Sequence, residues 1–207
     1  MPCRIFLYYL DVMHSTQPPP SVSNMRPISF IWVLVQVTGL TLVLSLRTIA
    51  TADPDPTLAL TSSAFQNGGT IPEQYTCSGD NKSPELQWTG VPGGTRSLAL
   101  ILDDPDAPMG TFVHWVVYNL SPTATGIPER VLGAASVADG KQGINGRDAI
   151  GYTGPCPPPG KPHHYHFRLY ALDQKLALKA GATAHQVEAA IKGHLLGSAE
   201  LVGIFAR

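Results

Sequence analysis

The pattern of apolar and polar residues predicts β-strands along most of the chain after residue 52. Residues 97–104, SLALILDD, are apolar almost throughout, which predicts a strand buried on both faces. Residues 164–173, HYHFRLYALD, alternate between apolar and polar side chains, as a strand with one buried face does. Shorter strands are predicted near both ends of this region, in residues 58–65 and 200–207.

Residues 113–119, VHWVVYN, alternate as well and predict a further strand. On this pattern one face carries Val113, Trp115, Val117 and Asn119, and the other carries His114, Val116 and Tyr118. Residues 121–150 are rich in glycine and weakly patterned, so we expect loops and short strands there.

One helix is clearly marked, and it comes late in the chain. Thr183 and Gln186 have the spacing of an N-terminal capping box. Gly197 is predicted to end the helix. The apolar stripe between them consists of Val187, Ala190, Ile191 and Leu195. Because strands dominate, the pattern predicts a mainly β fold, a β-sandwich with peripheral helix.

Residues 1–52 carry the pattern of a targeting segment. The run Ile28–Leu46 has no charged residue, Arg26 precedes it, and Ala50-Thr51-Ala52 matches a signal-peptidase site. We therefore expect a start at Met25, cleavage after Ala52, and a single periplasmic or secreted domain in residues 53–207. The alternative is an uncleaved anchor, because the apolar run is about long enough to span a bilayer.

Composition fits an exported, loop-rich β domain. The 207 residues include 20 glycines and 19 prolines, most of them after residue 52. Residues 53–207 carry 11 basic and 14 acidic side chains, a net charge of −3. This charge excludes a basic nucleic-acid surface and gives no attraction to anionic lipid.

Cys77 and Cys156 are the two cysteines of the expected mature chain. In an exported domain they are most simply interpreted as one disulfide, and the alternative is two separate buried thiols. Such a bridge closes a 79-residue separation. The chain-entropy model assigns it about 4 kcal/mol of stability.

Two motifs could carry chemistry. In DPDAP, Asp104 and Asp106 stand between stiffening prolines; either they point into one cavity and raise each other's pKa, or they are ordinary turn residues. In GPCPPPGKPHHYHF, glycines allow close backbone approach and prolines form a rigid wall. The histidines of this motif split between the two faces of a strand, so we expect no metal site. No cofactor fingerprint or nucleophile motif is present, so we expect no cofactor.

Together these motifs resemble the phosphatidylethanolamine-binding protein family, also called Raf-kinase-inhibitor-like proteins, and most of all its bacterial and archaeal branch. The resemblance rests on YTCSGDNKSPELQW (75–88), DDPDAPMGTFVHWVVYNL (103–120) and GYTGPCPPPGKPHHYHFRLYALD (151–173). It implies a Greek-key β-sandwich of two antiparallel sheets with a few helices. It also implies a small anion-binding cavity, lined by Asp104, Asp106, His114, Gly154, Pro155, His163 and Tyr165. In this family a Cys77–Cys156 bridge would tie two rim loops together.

The resemblance implies a non-enzymatic binding protein for a small anion or phosphorylated head group, able to modulate a partner protein. A homodimer is compatible with it. Protonated histidines would attract the anion, and the carboxylates would orient them and raise their pKa, so that binding strengthens as pH falls. One alternative is an inhibitor of a protease or kinase that acts through another surface. Another is an acid–base enzyme that acts on a phosphoester through Asp104, Asp106 and His114.

Overall fold

The computed structural model describes residues 57–131, 133–134 and 136–207. The predictions for residues 1–52 lie outside these ranges. The described residues form a 3-10 turn at Glu73–Tyr75, the helix α1 at Ala184–Ile191 and ten strands. The strands are β1 Ala59–Thr61, β2 Gly69–Thr70, β3 Leu86–Thr89, β4 Ser97–Asp104, β5 Phe112–Leu120, β6 Gly126–Ile127, β7 Ser136–Val137, β8 Gly140–Gln142, β9 His163–Leu172 and β10 Leu195–Phe205. None of the helices in the described ranges is long and apolar enough to cross a membrane.

The strands form two sheets, which confirms the predicted mainly β sandwich. The larger sheet has the order β2-β10-β9-β4-β5-β8-β7, and the smaller one has the order β1-β3-β6. Neighbouring strands are antiparallel except β2 and β10, which are parallel. The Greek-key connection stays a prediction.

Strand β4 is buried along its whole length, as its apolar sequence predicts. On one side Leu100 and Leu102 belong to an inner cluster, which lies between the two sheets and includes Trp88 of β3. On the other side Ile101 belongs to an outer cluster, which includes Val187 of α1. Both faces of β4 are therefore covered, and so no polar residue alternates with the apolar ones.

The faces predicted for β5 are partly wrong, because the strand contains a β-bulge. Leu102 pairs with Trp115, but Asp103 pairs with Val113, so His114 is an extra residue in the ladder. Val113 packs on the outer cluster and Trp115 belongs to the inner one. The His114 ring accordingly turns to the inner side, where it contacts the Tyr165 ring with 5.3 Å between centroids.

A second register shift precedes Leu120 and includes Asn119, whose φ is 60°. The Asn119 side chain donates to the carbonyl of Leu176, a residue of the outer cluster, so it does not share the face of Trp115 and Val117 as predicted. Strict alternation holds only along an unbroken ladder, and nothing in the run VHWVVYN marks the two shifts.

Helix α1 has the predicted capping box: Gln186 N donates to Thr183 Oγ1 at 3.3 Å, and Thr183 N donates to Gln186 Oε1 at 2.9 Å. The predicted end is wrong, because the helix stops at Ile191. Gly193 has φ +84°, which takes the chain out of the helix. Leu195, expected in the buried stripe, begins β10 instead and is 48% exposed.

Candidate functional site

A cavity of about 220 Å³ lies where β4 ends and where β5 and β9 begin. These three ends meet at one edge of the sheet because β4 is antiparallel to both neighbours. Three of the predicted site residues line the cavity, namely Asp104, His114 and His163. Its less polar walls are Ala107, Pro108, Phe112, Cys156, Pro157 and Pro158. Pro157 and Pro158 therefore form a wall, as predicted for the second motif, and Pro108 of DPDAP adds to it.

Asp104 is buried and holds His163 in place. Its Oδ2 lies 2.8 Å from His163 Nδ1, and its Oδ1 accepts the Asp106 N–H at 2.9 Å. Because an ionised carboxylate only accepts hydrogen bonds, His163 Nδ1 carries the proton. The Asp104–His163 pair thus fixes the imidazole orientation and leaves Nε2 for other partners.

Asp106 turns away from the cavity lining. Its Oδ2 accepts two hydrogen bonds from His164, one from the backbone N–H at 2.9 Å and one from Nδ1 at 2.8 Å. These bonds lower the Asp106 pKa, whereas we expected neighbouring carboxylates to raise it. His163 and His164 lie on opposite faces of β9, so the two aspartates clamp their loop to both sides of the strand.

The His114 ring is held in the cavity wall by a hydrogen bond between Nδ1 and the Thr153 carbonyl at 2.7 Å. Since a carbonyl only accepts, Nδ1 carries the proton and Nε2 of the neutral ring is an acceptor. Burial lowers the His114 pKa, and this outweighs the attraction of Asp104, which we expected to raise it. His114 is therefore neutral at neutral pH.

Tyr165 is fully buried, and its hydroxyl lies near the Asp104 carboxylate without forming a hydrogen bond of good geometry in the described residues. Burial raises the pKa of this phenol, and the negative charge of Asp104 raises it further. The hydroxyl therefore remains protonated. Tyr165 does not line the cavity itself; its ring supports the His114 ring from the edge.

Gly154 and Pro155 bind the neighbouring rim loop rather than facing the cavity. The Gly154 N–H donates to Asn81 Oδ1 at 2.7 Å, and the Pro155 carbonyl accepts from Cys77 N at 3.0 Å. A Cβ on residue 154 would lie 2.5 Å from the Tyr75 carbonyl oxygen, so only glycine fits here. The backbone donor that we expected to meet a ligand is thus used inside the protein.

The predicted disulfide is confirmed. Cys77 and Cys156 are bonded, with their Cα atoms 5.3 Å apart. Cys156 lines the cavity, and Cys77 lies on the rim loop that Gly154 and Pro155 also contact. The bridge therefore ties two rim loops together, as the resemblance implies.

Comparison with known proteins agrees with this architecture. The family model described as phosphatidylethanolamine-binding protein matches residues 61–206. The chain belongs to the phosphatidylethanolamine-binding protein family. A UPF0098 protein of Methanothermobacter thermautotrophicus is 51% identical over 149 residues, which cover 72% of this chain and 98% of that protein.

Two solved structures of the phosphatidylethanolamine-binding protein family resemble this one. The homologue CT736 of Chlamydia trachomatis has a TM-score of 0.67 and 41% identity, covering 73% of this chain and 99% of its own. YbcL of E. coli, described as a new member of the mammalian family, has a TM-score of 0.68 and 31% identity, covering 72% and 98%. The fold and the family are therefore shared.

Arg147 also lines the cavity, and the sequence analysis missed it. It lies in the glycine-rich stretch that we expected to be loops and short strands, next to the turn-forming pair Asn145-Gly146. A lone arginine there has no motif around it. The turn dipeptide is the signal that could have drawn attention to it. Among the described residues, no group of three or more His, Cys, Asp or Glu could hold a metal ion.

Proposed function

We propose that this member of the phosphatidylethanolamine-binding protein family binds a small anion, such as the phosphate of a phosphorylated head group, in the cavity beside Asp104. The observation that carries the proposal is the convergence of His114, His163 and Arg147 on one small space. These are the side chains that hydrogen-bond an oxyanion. The description of the matching family model, phosphatidylethanolamine-binding protein, supports the same ligand class.

The size of the cavity favours a head group over a whole lipid. Its volume of about 220 Å³ is below the roughly 300 Å³ at which pockets for drug-sized ligands begin. A phosphate with a short substituent fits, and an acyl chain stays outside. The proline and Phe112 walls surround the site with apolar surface, which lowers the local dielectric constant and strengthens each charged hydrogen bond inside.

Binding of an anion beside His114 requires one additional proton, either on the imidazole or on the ligand. His114 is neutral and offers a lone pair at Nε2, so an oxyanion can bind there only if His114 is protonated or if the ligand itself donates a proton. His163 presents Nε2 while Asp104 compensates the charge of a protonated ring. Binding therefore strengthens as pH falls.

We propose that the site binds without catalysing a reaction. Both carboxylate oxygens of Asp104 already accept hydrogen bonds from His163 and Asp106. Asp106 is engaged with His164 outside the cavity lining. Neither carboxylate is thus available as a general base in the cavity, which leaves the lone pair at His114 Nε2 as the proton acceptor that an activity assay must test.

We also propose that the domain works after export, in an oxidising compartment. The Cys77–Cys156 bridge supports this, because structural disulfides persist there and are rare in the cytosol. Sequencing the N-terminus of protein expressed with its full leader tests the point. Asp53 is the expected first residue, and a chain that keeps Ala52 contradicts the predicted cleavage.

Isothermal titration calorimetry with phosphoethanolamine, phosphate and sulfate tests the binding function. We expect saturable binding of all three, and weaker binding in His163→Ala. His194→Ala is the matched control, since His194 also pairs with a carboxylate, that of Asp173 at 2.9 Å, but at the other end of β9. Absence of saturable binding to any of the three anions refutes the proposal. Hydrolysis of p-nitrophenyl phosphate that is lost in His114→Ala refutes the non-catalytic part.

A further inference from the structure

Arg147 supplies the permanent positive charge of the cavity lining. The lining contains one carboxylate, Asp104, which is paired with His163. His114 is held neutral by burial. Among the residues that line the cavity, Arg147 is the one arginine or lysine. Without it the lining would carry no permanent positive charge to offset Asp104, and a doubly charged anion would be repelled.

Arg207 also contacts the cavity wall, but it does not replace Arg147. Its Nε donates to the Pro157 carbonyl at 2.8 Å, and it is not part of the lining. Asp106, the second carboxylate of the loop, is engaged by His164. The charge balance inside the cavity therefore depends on Arg147, Asp104 and the two histidines.

The guanidinium of Arg147 is free to bind a ligand. Within the described part of the chain it makes no hydrogen bond and no ion pair, whereas Arg130 pairs with Asp80 and Arg168 with Asp103. An arginine with all its donors unused at a cavity wall is available for bidentate contacts to an oxyanion.

The backbone that carries Arg147 is held in place by Asn145. The Asn145 side-chain oxygen accepts the Arg147 N–H at 2.9 Å, and its Nδ2 donates to the Gly151 carbonyl at 2.9 Å. Gly146 donates to the Val113 carbonyl at 2.7 Å and lies flat on the Phe112 ring, where a Cβ would come within 2.6 Å of the ring. The loop is thus fastened to β5, and Arg147 projects from a fixed base.

We propose that Arg147 is a specificity-determining residue that makes the cavity prefer doubly charged tetrahedral anions, such as phosphate esters, over singly charged carboxylates. This inference rests on the proposed anion-binding function and narrows its ligand class. A guanidinium carried on this fixed backbone contributes two parallel N–H donors and a full charge, and a dianion with four oxygens uses both more fully than a carboxylate does.

Calorimetric titrations with sulfate and acetate test the proposal, since neither anion titrates near about pH 7.5. The variants are Arg147→Gln, which removes the positive charge, and Arg147→Lys, which keeps the charge but lacks the two parallel N–H donors of a guanidinium. Arg96→Gln is the matched control: Arg96 is also exposed, its side chain has no partner among the described residues, and it precedes β4 at the end of the strand opposite Asp104.

We expect Arg147→Gln to weaken sulfate binding about tenfold or more and acetate binding much less. Arg147→Lys should fall between wild type and Arg147→Gln, and Arg96→Gln should match wild type. Equal sulfate affinity in wild type and Arg147→Gln overturns the inference alone, as does an equal loss for both anions. A wild-type protein that binds neither anion overturns the proposed function together with the inference.

Discussion

Removing the Cys77–Cys156 bridge by the double change Cys77→Ser and Cys156→Ser should destabilise the domain strongly. The bridge spans a separation of 79 residues, about half of the residues that the structure describes. Closing a loop of that length in the unfolded chain removes entropy worth about 4 kcal/mol at 25 °C. The serine variant recovers this entropy in its unfolded state, so its free energy of unfolding falls by that amount.

Other contacts between the two rim loops decide whether the folded state keeps its structure when the bridge is removed. The two rim loops are also held by the Gly154–Asn81 and Cys77–Pro155 hydrogen bonds. These bonds keep the folded state of the variant close to that of the wild type, so the difference lies mainly in the unfolded state. For a domain of this size each 1 kcal/mol lowers the melting temperature by about 2–4 °C, so a fall of roughly 8–16 °C is expected.

Urea unfolding at equilibrium, followed by circular dichroism, measures the change in free energy. Wild-type protein under a strong reductant serves as a second version of the same perturbation, because Cys77 is exposed. The serine variant and the reduced wild-type protein should have the same free energy of unfolding. Because a crosslink makes the unfolded chain more compact, both should also show a steeper dependence on urea than the oxidised protein. A free energy of unfolding within about 1 kcal/mol of wild type would refute the loop-entropy reasoning.

Three further predictions concern single residues. The free-state pKa of His114 is lowered below the ordinary value of 6.5 and a bound anion raises it, so sulfate affinity measured by calorimetry should rise as pH falls through the bound-state pKa and level off once pH lies below the free-state pKa; an affinity that falls as pH falls contradicts the assignment. Gly154→Ala should lower the free energy of unfolding in urea by about 1–3 kcal/mol, because the added Cβ would clash with backbone atoms. Gly93→Ala is the control and should be close to neutral, since a Cβ there meets nothing within 4 Å. Similar values for both variants would count against the close approach of Gly154 to the backbone of Tyr75. The lowered pKa of Asp106 means that its contribution to stability is present above its unfolded pKa of about 3.9 and is lost as pH falls. Asp106→Asn should therefore lose less than about 1 kcal/mol at pH 7, since the pair is exposed, and nothing near pH 2; a larger loss at pH 2 than at pH 7 would contradict this sign.

Part of the candidate site could be predicted, but from the family resemblance, since the residues alone left an ordinary turn as the alternative for DPDAP. Asp104 and His163 come from motifs whose prolines limit where the chain can go, and both line the cavity. The disulfide could be predicted as well, because residues 53–207 contain two cysteines, so that one bridge or two separate thiols were the alternatives. The assignment of Asp106 to the lining differs from the structure, since neighbouring residues at a strand end can go to either face.

His114 shows a different limit. Its presence in the site was expected from the resemblance, but its face was wrong by simple alternation, since only the pairing of β4 with β5 creates the bulge that turns it inward. Its pKa was also expected to rise near carboxylates, whereas burial lowers it. Burial is a property of the packed sheet and cannot be read from neighbouring letters.

The sequence by itself determined the class of fold, the doubly buried β4, the capped start of α1 and the pairing of the cysteines, because each depends on residues close in the chain or few in number. Tertiary structure alone decided which side chains face the cavity. It brought in Arg147 from a loop without a motif, turned Asp106 away and engaged Gly154 with Asn81. These outcomes depend on strand register and on contacts between segments far apart in the chain, and a local pattern specifies neither.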